Sequence, residues 1–115
     1  MRRFSTSRRV EIKDNDQTVA VADVITLPGG PAVARASLYP ASGHVAPGTR
    51  SRLVDAVLAL PEVLASERLE ATVPLGDSES LERLRQRTRA AATRPAGSTA
   101  LVDAYLSRGG HGGPR

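Results

Sequence analysis

Leu53-Val54-Asp55-Ala56-Val57-Leu58-Ala59-Leu60-Pro61-Glu62-Val63-Leu64 is the stretch on which the fold turns. Leu53, Val57, Leu60 and Leu64 recur at spacings of four, three and four, so on a helix they fall within about 60° of arc and make one buried stripe. Thr49 or Ser51 can cap this helix. Pro61 lacks a backbone donor, so the regular helix stops near Leu60 and a short second turn starts at Pro61. Ala32–Tyr39 before the helix and Arg68–Leu75 after it alternate with a period of two, the signature of strands. A strand, a helix and a strand in this order form a right-handed crossover between parallel neighbours, and a second is expected from Arg68–Leu75 through the next helix to the last strand.

Working outward, Val10 and Ile12 alternate with charged neighbours, and Asp14-Asn15-Asp16 supplies turn residues. Val19, Val21, Ile25 and Leu27 then share one parity, so the segment reads as a hairpin. Asp23 interrupts that parity, and a bulge or change of face is expected there. Pro28-Gly29-Gly30-Pro31 reverses the chain into the third strand. Downstream, Asp77 or Ser78 opens a second helix, and Glu79 and Glu82 complement its dipole. Its stripe is Leu81, Leu84, Thr88 and Ala91, fading at Pro95-Ala96-Gly97, after which Ser98–Leu106 forms a last strand. The expected architecture is an α/β (α+β) two-layer sandwich, with a mixed sheet, order β-β-β-α-β-α-β and both helices on one face. Leu53, Val57, Leu60, Leu81 and Leu84 are expected to pack on a sheet face carrying Leu69, Val73 and Leu101.

Composition bounds the chemistry. The 115 residues suit one domain, and 40% of them are hydrophobic, yet seventeen are alanine and only 3% are aromatic. No cysteine is present, which excludes thiol chemistry and cysteine-ligated metal, and no apolar run is long enough for a membrane span. The net charge of +4 sits entirely on Arg2, Arg3, Arg8 and Arg9, because every acid follows residue 10 and the body is neutral. We therefore expect a basic disordered arm over 1–9, one domain over 10–106, and a Gly-rich disordered tail over 107–115 around His111. Non-specific contact with nucleic acid belongs to the arm, where it works by counterion release. No secretory signal is visible, and the expected location is cytoplasmic.

Arg83 and Arg87 flank the second helix's stripe on one side, Arg85 and Arg89 on the other, so they make no single basic face. Long stems covering apolar edges account for them, and Glu79–Arg83 forms a standard i,i+4 pair. His44, in the loop before the first helix, has no nucleophile in a recognisable elbow beside it and reads as a surface residue. Gly48-Thr49-Arg50 runs into a helix start, where amides and dipole can hold an anion. Ser78 and Ser80 open the second helix; one caps it and a spare hydroxyl there can accept a phosphate.

Two resemblances start from these residues. Thr18–Leu106 resembles the C-terminal half of a GNAT-type N-acetyltransferase, and Val73-Pro74-Leu75-Gly76-Asp77-Ser78-Glu79-Ser80-Leu81 is similar to that family's strand-to-helix segment. This resemblance implies acetyl-CoA as cofactor, with Gly48, Thr49 and Arg50 holding its phosphates. Asp77-Ser78-Glu79-Ser80-Leu81 also resembles the Asp-Ser-Ser-Gly-Leu segment of STAS domains, the anti-sigma-factor antagonist type, which implies regulation through Ser78 or Ser80. No acid, base, nucleophile or metal set converges in the sequence. The expectation is therefore a small non-enzymatic regulatory or protein-interaction domain without cofactor, binding another protein or itself. The alternative is an acyltransferase-like domain that binds acetyl-CoA at Gly48–Arg50.

Overall fold

A computed structural model describes residues 6–27, 32–40 and 46–106. The elements run β1 (Thr6–Asp14), β2 (Gln17–Leu27), β3 (Val33–Pro40), α1 (Thr49–Leu58), α2 (Pro61–Leu64), β4 (Arg68–Pro74), α3 (Ser78–Arg87), β5 (Arg89–Ala96) and β6 (Thr99–Tyr105). They form one six-stranded mixed sheet in the order β1-β2-β3-β4-β6-β5, in which, among the described residues, only β3 and β4 pair in parallel. The second expected crossover is not formed, because β5 intervenes and turns β6 antiparallel to β4. The helices lie on one face, with α1 across β1, β2 and β3, and α3 between α1 and β5. The expected two-layer α/β architecture is present. No helix among the described residues is long and apolar enough to cross a membrane.

The first hairpin closes where the turn residues predict. Asn15 and Asp16 both take positive φ, 52° and 65°, the tight two-residue turn whose twist matches the strands it joins. The strand parity, however, differs from the expected one. Ala20, Ala22 and Val24 are buried under the helices, while Val21 is half-buried and Ile25 is 41% exposed. Asp23 marks no bulge: the register runs evenly through it, and the shift falls between Ile12 and Lys13. Asp23 instead shares the open face with Val21 and Ile25. On β3 likewise Ala34, Ala36 and Leu38 are covered, and Arg35 and Tyr39 are exposed. Alanines on the sheet let α1 approach closely, so apolar volume comes from the helix side, through Leu53, Val54, Val57 and Leu58.

Three further positions differ. Leu101 pairs with Thr72 and lies on the open face, because Ala100 and Val102, opposite Val73 and Ala71, occupy the covered one. A one-residue offset in a strand exchanges its two faces. Leu60 is extended (φ −64°, ψ 136°) as the N-cap of α2, which leaves it half-buried and turns Leu64 outward at 54% exposure. The second helix ends at Arg87, so Ala91 belongs to a sixth strand absent from the expected order. Thr88 Oγ1 donates to the Leu84 carbonyl at 2.6 Å and is itself extended, and Ala90 at φ 54° accompanies the register shift between Arg89 and Ala92. Arg89–Ala96 is alanine-rich and favours helix locally; pairing with β6 overrides that preference. As the sheet's edge it tolerates Pro95.

Of the arm expected over 1–9, Thr6–Arg9 is part of β1 instead. Arg8 Nε reaches Glu62 at 2.7 Å and Arg9 Nε reaches Asp23 at 3.0 Å, so both side chains are held by acids of the body. Arg2, Arg3, the Pro28–Pro31 reversal, His44 and the 107–115 tail lie outside the described residues.

Asp55 ties the two long helices. Arg83 donates to both its oxygens at 2.8 and 2.9 Å, and Arg87 adds a third bond at 2.7 Å. The Arg83 hydrogen bond holds the Asp55 carboxyl below its ordinary range, against an opposing effect of burial. A carboxyl depressed on folding adds stability above its unfolded pKa of about 3.9, and that stability is lost as pH falls through the lower folded value. The pair is a third exposed, so solvent screening keeps its contribution small. Asp55→Asn should therefore lower the melting temperature at pH 7 and barely change it at pH 2. An equal deficit at both pH values would contradict this role.

Candidate functional site

Two features meet at the carboxyl ends of the parallel pair. The first is a fork in the sheet. β3 and β4 pair from Val33↔Arg68 to Ser37↔Thr72 and no further. Beyond that point β3 continues against β2 as far as Pro40, and β4 against β6 as far as Pro74. Leu38 and Tyr39 on one side and Val73 on the other thus edge a notch inside the sheet, with no strand between them among the described residues. In an open sheet the carboxyl ends of parallel strands are where ligands settle, because the helix starts gather there.

The open face adds the second feature, a groove of about 520 Å³ that reaches the notch at Ser37, Thr72 and Tyr39. Ala36, Ala71 and Val102 contribute to its floor, Ile25 and Leu101 give apolar walls, and Ala92, Thr93 and Arg94 of β5 close one side. Asp23, Arg35, Glu70, Arg94 and Asp103 supply its charge. Most of that charge is paired: Arg35 with Glu70 at 2.8 Å, Arg68 with Asp103 at 2.6 Å, and Arg9 with Asp23. The volume suits a small organic ligand, and convergent polar groups on an apolar ground are what orient one.

At the same end of the sheet stand the starts of α1 and α3. Gly48 precedes α1 at φ 88°, a left-handed conformation that a side chain would strain, and it gives no side-chain cap. The expected caps Thr49 and Ser51 do not serve. Thr49 is buried, its amide donating to the Ala46 carbonyl at 3.1 Å, and the Ser51 amide donates to Glu79 Oε2 at 2.9 Å. Glu79 comes from α3, so the expected Glu79–Arg83 pair is replaced by two contacts to α1: Glu79 with Ser51, and Arg83 with Asp55. Arg50 reaches Asp77 Oδ1 at 3.2 Å. Asp77 is the cap of α3 that the sequence predicts, accepting from the Ser80 amide at 3.1 Å and from the Ser80 hydroxyl at 2.7 Å.

The candidate residues of the sequence therefore divide. Gly48, Thr49 and Arg50 are brought to the α1 start, beside Asp77 and Glu79, which carry the acids of that corner. As a phosphate site this corner does not fit in the conformation described. One helix amide holds a carboxylate, and the nearest guanidinium is committed to a buried one. Ser78 is exposed and Ser80 is buried, with its hydroxyl turned to Asp77, a poor place for an added phosphate. The arginines expected to flank the second helix are likewise engaged within the chain: Arg83 and Arg87 hold Asp55, Arg85 pairs with Glu82 and Arg89 lies 6.0 Å over the Tyr105 ring. The fork, the groove and the role of Glu79 are not visible in sequence. Only the charges of Asp23 and Arg35, opposed to the alanine parity, could have marked the open face.

No protein-family model and no curated protein matches the sequence. Solved structures do match in fold. The acetyltransferase of GNAT family from Streptococcus pneumoniae aligns with a TM-score of 0.61 at 10% identity, covering 88% of this chain and 67% of that one. Ribosomal-protein-alanine N-acetyltransferase from Brucella melitensis aligns at 0.60 and 15%, covering 86% and 67%. YncA, a putative acetyltransferase from Salmonella typhimurium solved with its cofactor acetyl-CoA, aligns at 0.61 and 12%, covering 95% and 69%. The chain spans between 61% and 69% of the length of such structures. Its fold is that of GNAT-family N-acetyltransferases, and the resemblance to STAS domains is not shown. The expected non-enzymatic regulatory domain is corrected accordingly: these likenesses favour the acyltransferase-like alternative.

Proposed function

We propose that this chain is an acyltransferase-like domain that takes acetyl-CoA or a related acyl-CoA into the fork between β3 and β4, with the acceptor lying in the open-face groove. The fork carries the reading. Where neighbouring strands part, their backbone donors and acceptors face the gap, and an extended amide-bearing chain can pair there as an added strand does. The arm of coenzyme A is such a chain. Gly48, Thr49 and Arg50 stand where its diphosphate end would lie once the Glu79 carboxylate has left the Ser51 amide. The fold likeness supports the reading, as does the acetyl-CoA bound to YncA from Salmonella typhimurium.

Calorimetric titration with acetyl-CoA tests it. Saturable one-to-one binding is expected for the full chain. Ser37→Trp, which fills the mouth of the fork on the open face, should abolish binding while the protein still melts cooperatively. Failure of the unaltered chain to bind would overturn the proposal.

A further inference from the structure

The two edges of the sheet are built differently. β5, at one edge, carries Pro95, a left-handed Ala90 and a register shift between Arg89 and Ala92, each of which spoils it as a template for another strand. β1, at the other, has nine residues, no proline and an even register from Thr6 to Ile12, and among the described residues no strand pairs with its outer side. The two-residue turn at Asn15-Asp16 makes Asp14↔Gln17 a hydrogen-bonded pair. Bonding then alternates along the ladder. Arg8, Val10 and Ile12 direct their backbone groups to β2, while Ser7, Arg9, Glu11 and Lys13 turn theirs outward. We infer that a second copy of this chain pairs with this edge, β1 antiparallel to β1, about a two-fold axis at Val10.

The charge pattern selects that occupant and that register. With the axis at Val10, Arg9 lies opposite the partner's Glu11 and Glu11 opposite the partner's Arg9, both in bonded pairs on the open face. Val10 then meets the partner's Val10, and Arg8 the partner's Ile12, on the covered face, where Val10 and Ile12 are half-buried against the core. An axis at Arg8, Arg9 or Glu11 instead sets like charges directly opposite at its centre. An axis at Ile12 pairs Glu11 with Lys13, but the ladder then shrinks to Val10–Asp14 because β1 ends there. Neither charge is fully committed within the chain: Arg9 keeps 59% of its side chain exposed beside Asp23, and Glu11 has Lys13 at 4.0 Å and Thr18 Oγ1 at 3.5 Å. The axis at Val10 joins two six-stranded sheets into one, with both helix layers on the same face. A contact over Ser7–Lys13 is short beside the roughly 20–30 residues a side of a standard interface, so the dimer is weak and concentration-dependent.

Sedimentation equilibrium of the full chain tests this, and the unaltered chain should show a monomer–dimer equilibrium. Glu11→Arg turns two attractive cross-strand pairs into two repulsive ones and should weaken dimerisation at least about tenfold; Arg9→Glu should do the same. Both side chains are exposed, so each variant should keep a cooperative melt. An equimolar mixture of the two variants again sets Arg against Glu in both pairs, and association should return. Arg94→Glu, on the β5 edge, should change nothing. In ¹⁵N-resolved hydrogen exchange the amides of Arg9, Glu11 and Lys13 should gain protection as concentration rises, while those of Val10 and Ile12, already bonded to β2, should change little. A chain that stays monomeric at millimolar concentration would overturn the inference. So would a dimer indifferent to both reversals, or a mixture no tighter than either variant alone.

Discussion

Leu69→Ala should lower the free energy of unfolding by about 2–5 kcal/mol, the largest loss expected of any single truncation in this chain. Leu69 is fully buried on β4, the strand that joins the two halves of the sheet, between Ala34 and Ala104 in register. With alanine on both sides in register, neither cross-strand neighbour is long enough to fill the space left by an isobutyl group, so much of the cavity should persist. Urea unfolding followed by circular dichroism measures the loss. A change below about 0.5 kcal/mol would be surface behaviour and would place β4 in the wrong register.

Asp77→Ala should be the second most damaging change, at about 2–4 kcal/mol. Removing an N-cap carboxylate costs about 1 kcal/mol, and an unpartnered buried hydroxyl costs about 1–3 kcal/mol more. Both apply, because Asp77 caps the Ser80 amide and accepts the buried Ser80 hydroxyl. Arg50 also loses its partner, but it can turn toward solvent. Asp77→Asn keeps one acceptor, for the Ser80 amide, and offers an NH2 from which the Ser80 oxygen can accept, so it should recover more than half of the loss. An Asn variant as unstable as the Ala variant would mean that the ion pair with Arg50 dominates and the cap contributes little.

The helical stripe was legible in sequence because leucine and valine at helical spacing are large and have one face to go to. Leu53, Val57 and Leu84 accordingly lie in the core. The sheet parity was not legible by the same rule. Hydrophobicity ranks Val21 and Ile25 above Ala20 and Ala22, but the space beneath a closely packed helix selects for small volume, and the charged Asp23 and Arg35 sort the faces more reliably than the aliphatic residues. β5 was hidden because Ala90-Ala91-Ala92 carries helix propensity, and its strand state comes from pairing with β6, which no local window contains. The site was legible only in part. Asp77 as a cap follows from residue type and position. The bond from Glu79 to Ser51 spans 28 residues and depends on how α1 and α3 lean together. The fork depends on where two ladders stop, a property of strand lengths rather than of any residue.

The parting of β3 and β4 also bears on how the molecule opens. One unit comprises β1, β2, β3 and α1, and the other β4, α3, β5 and β6; the sheet connects them only through the parallel ladder from Val33↔Arg68 to Ser37↔Thr72. Local openings in native proteins follow boundaries between cooperative sub-global units with their own free energies, and an opening here must break the helix ties through Asp55 and Glu79 as well as that ladder. Native-state hydrogen exchange should therefore resolve two protection plateaus instead of one. Amides of β4 that face β6 should exchange with the carboxyl-terminal unit, and those of β3 that face β2 with the amino-terminal one. A ligand seated in the fork would bridge both units and merge the plateaus, so that binding would register as a gain in cooperativity across the whole sheet.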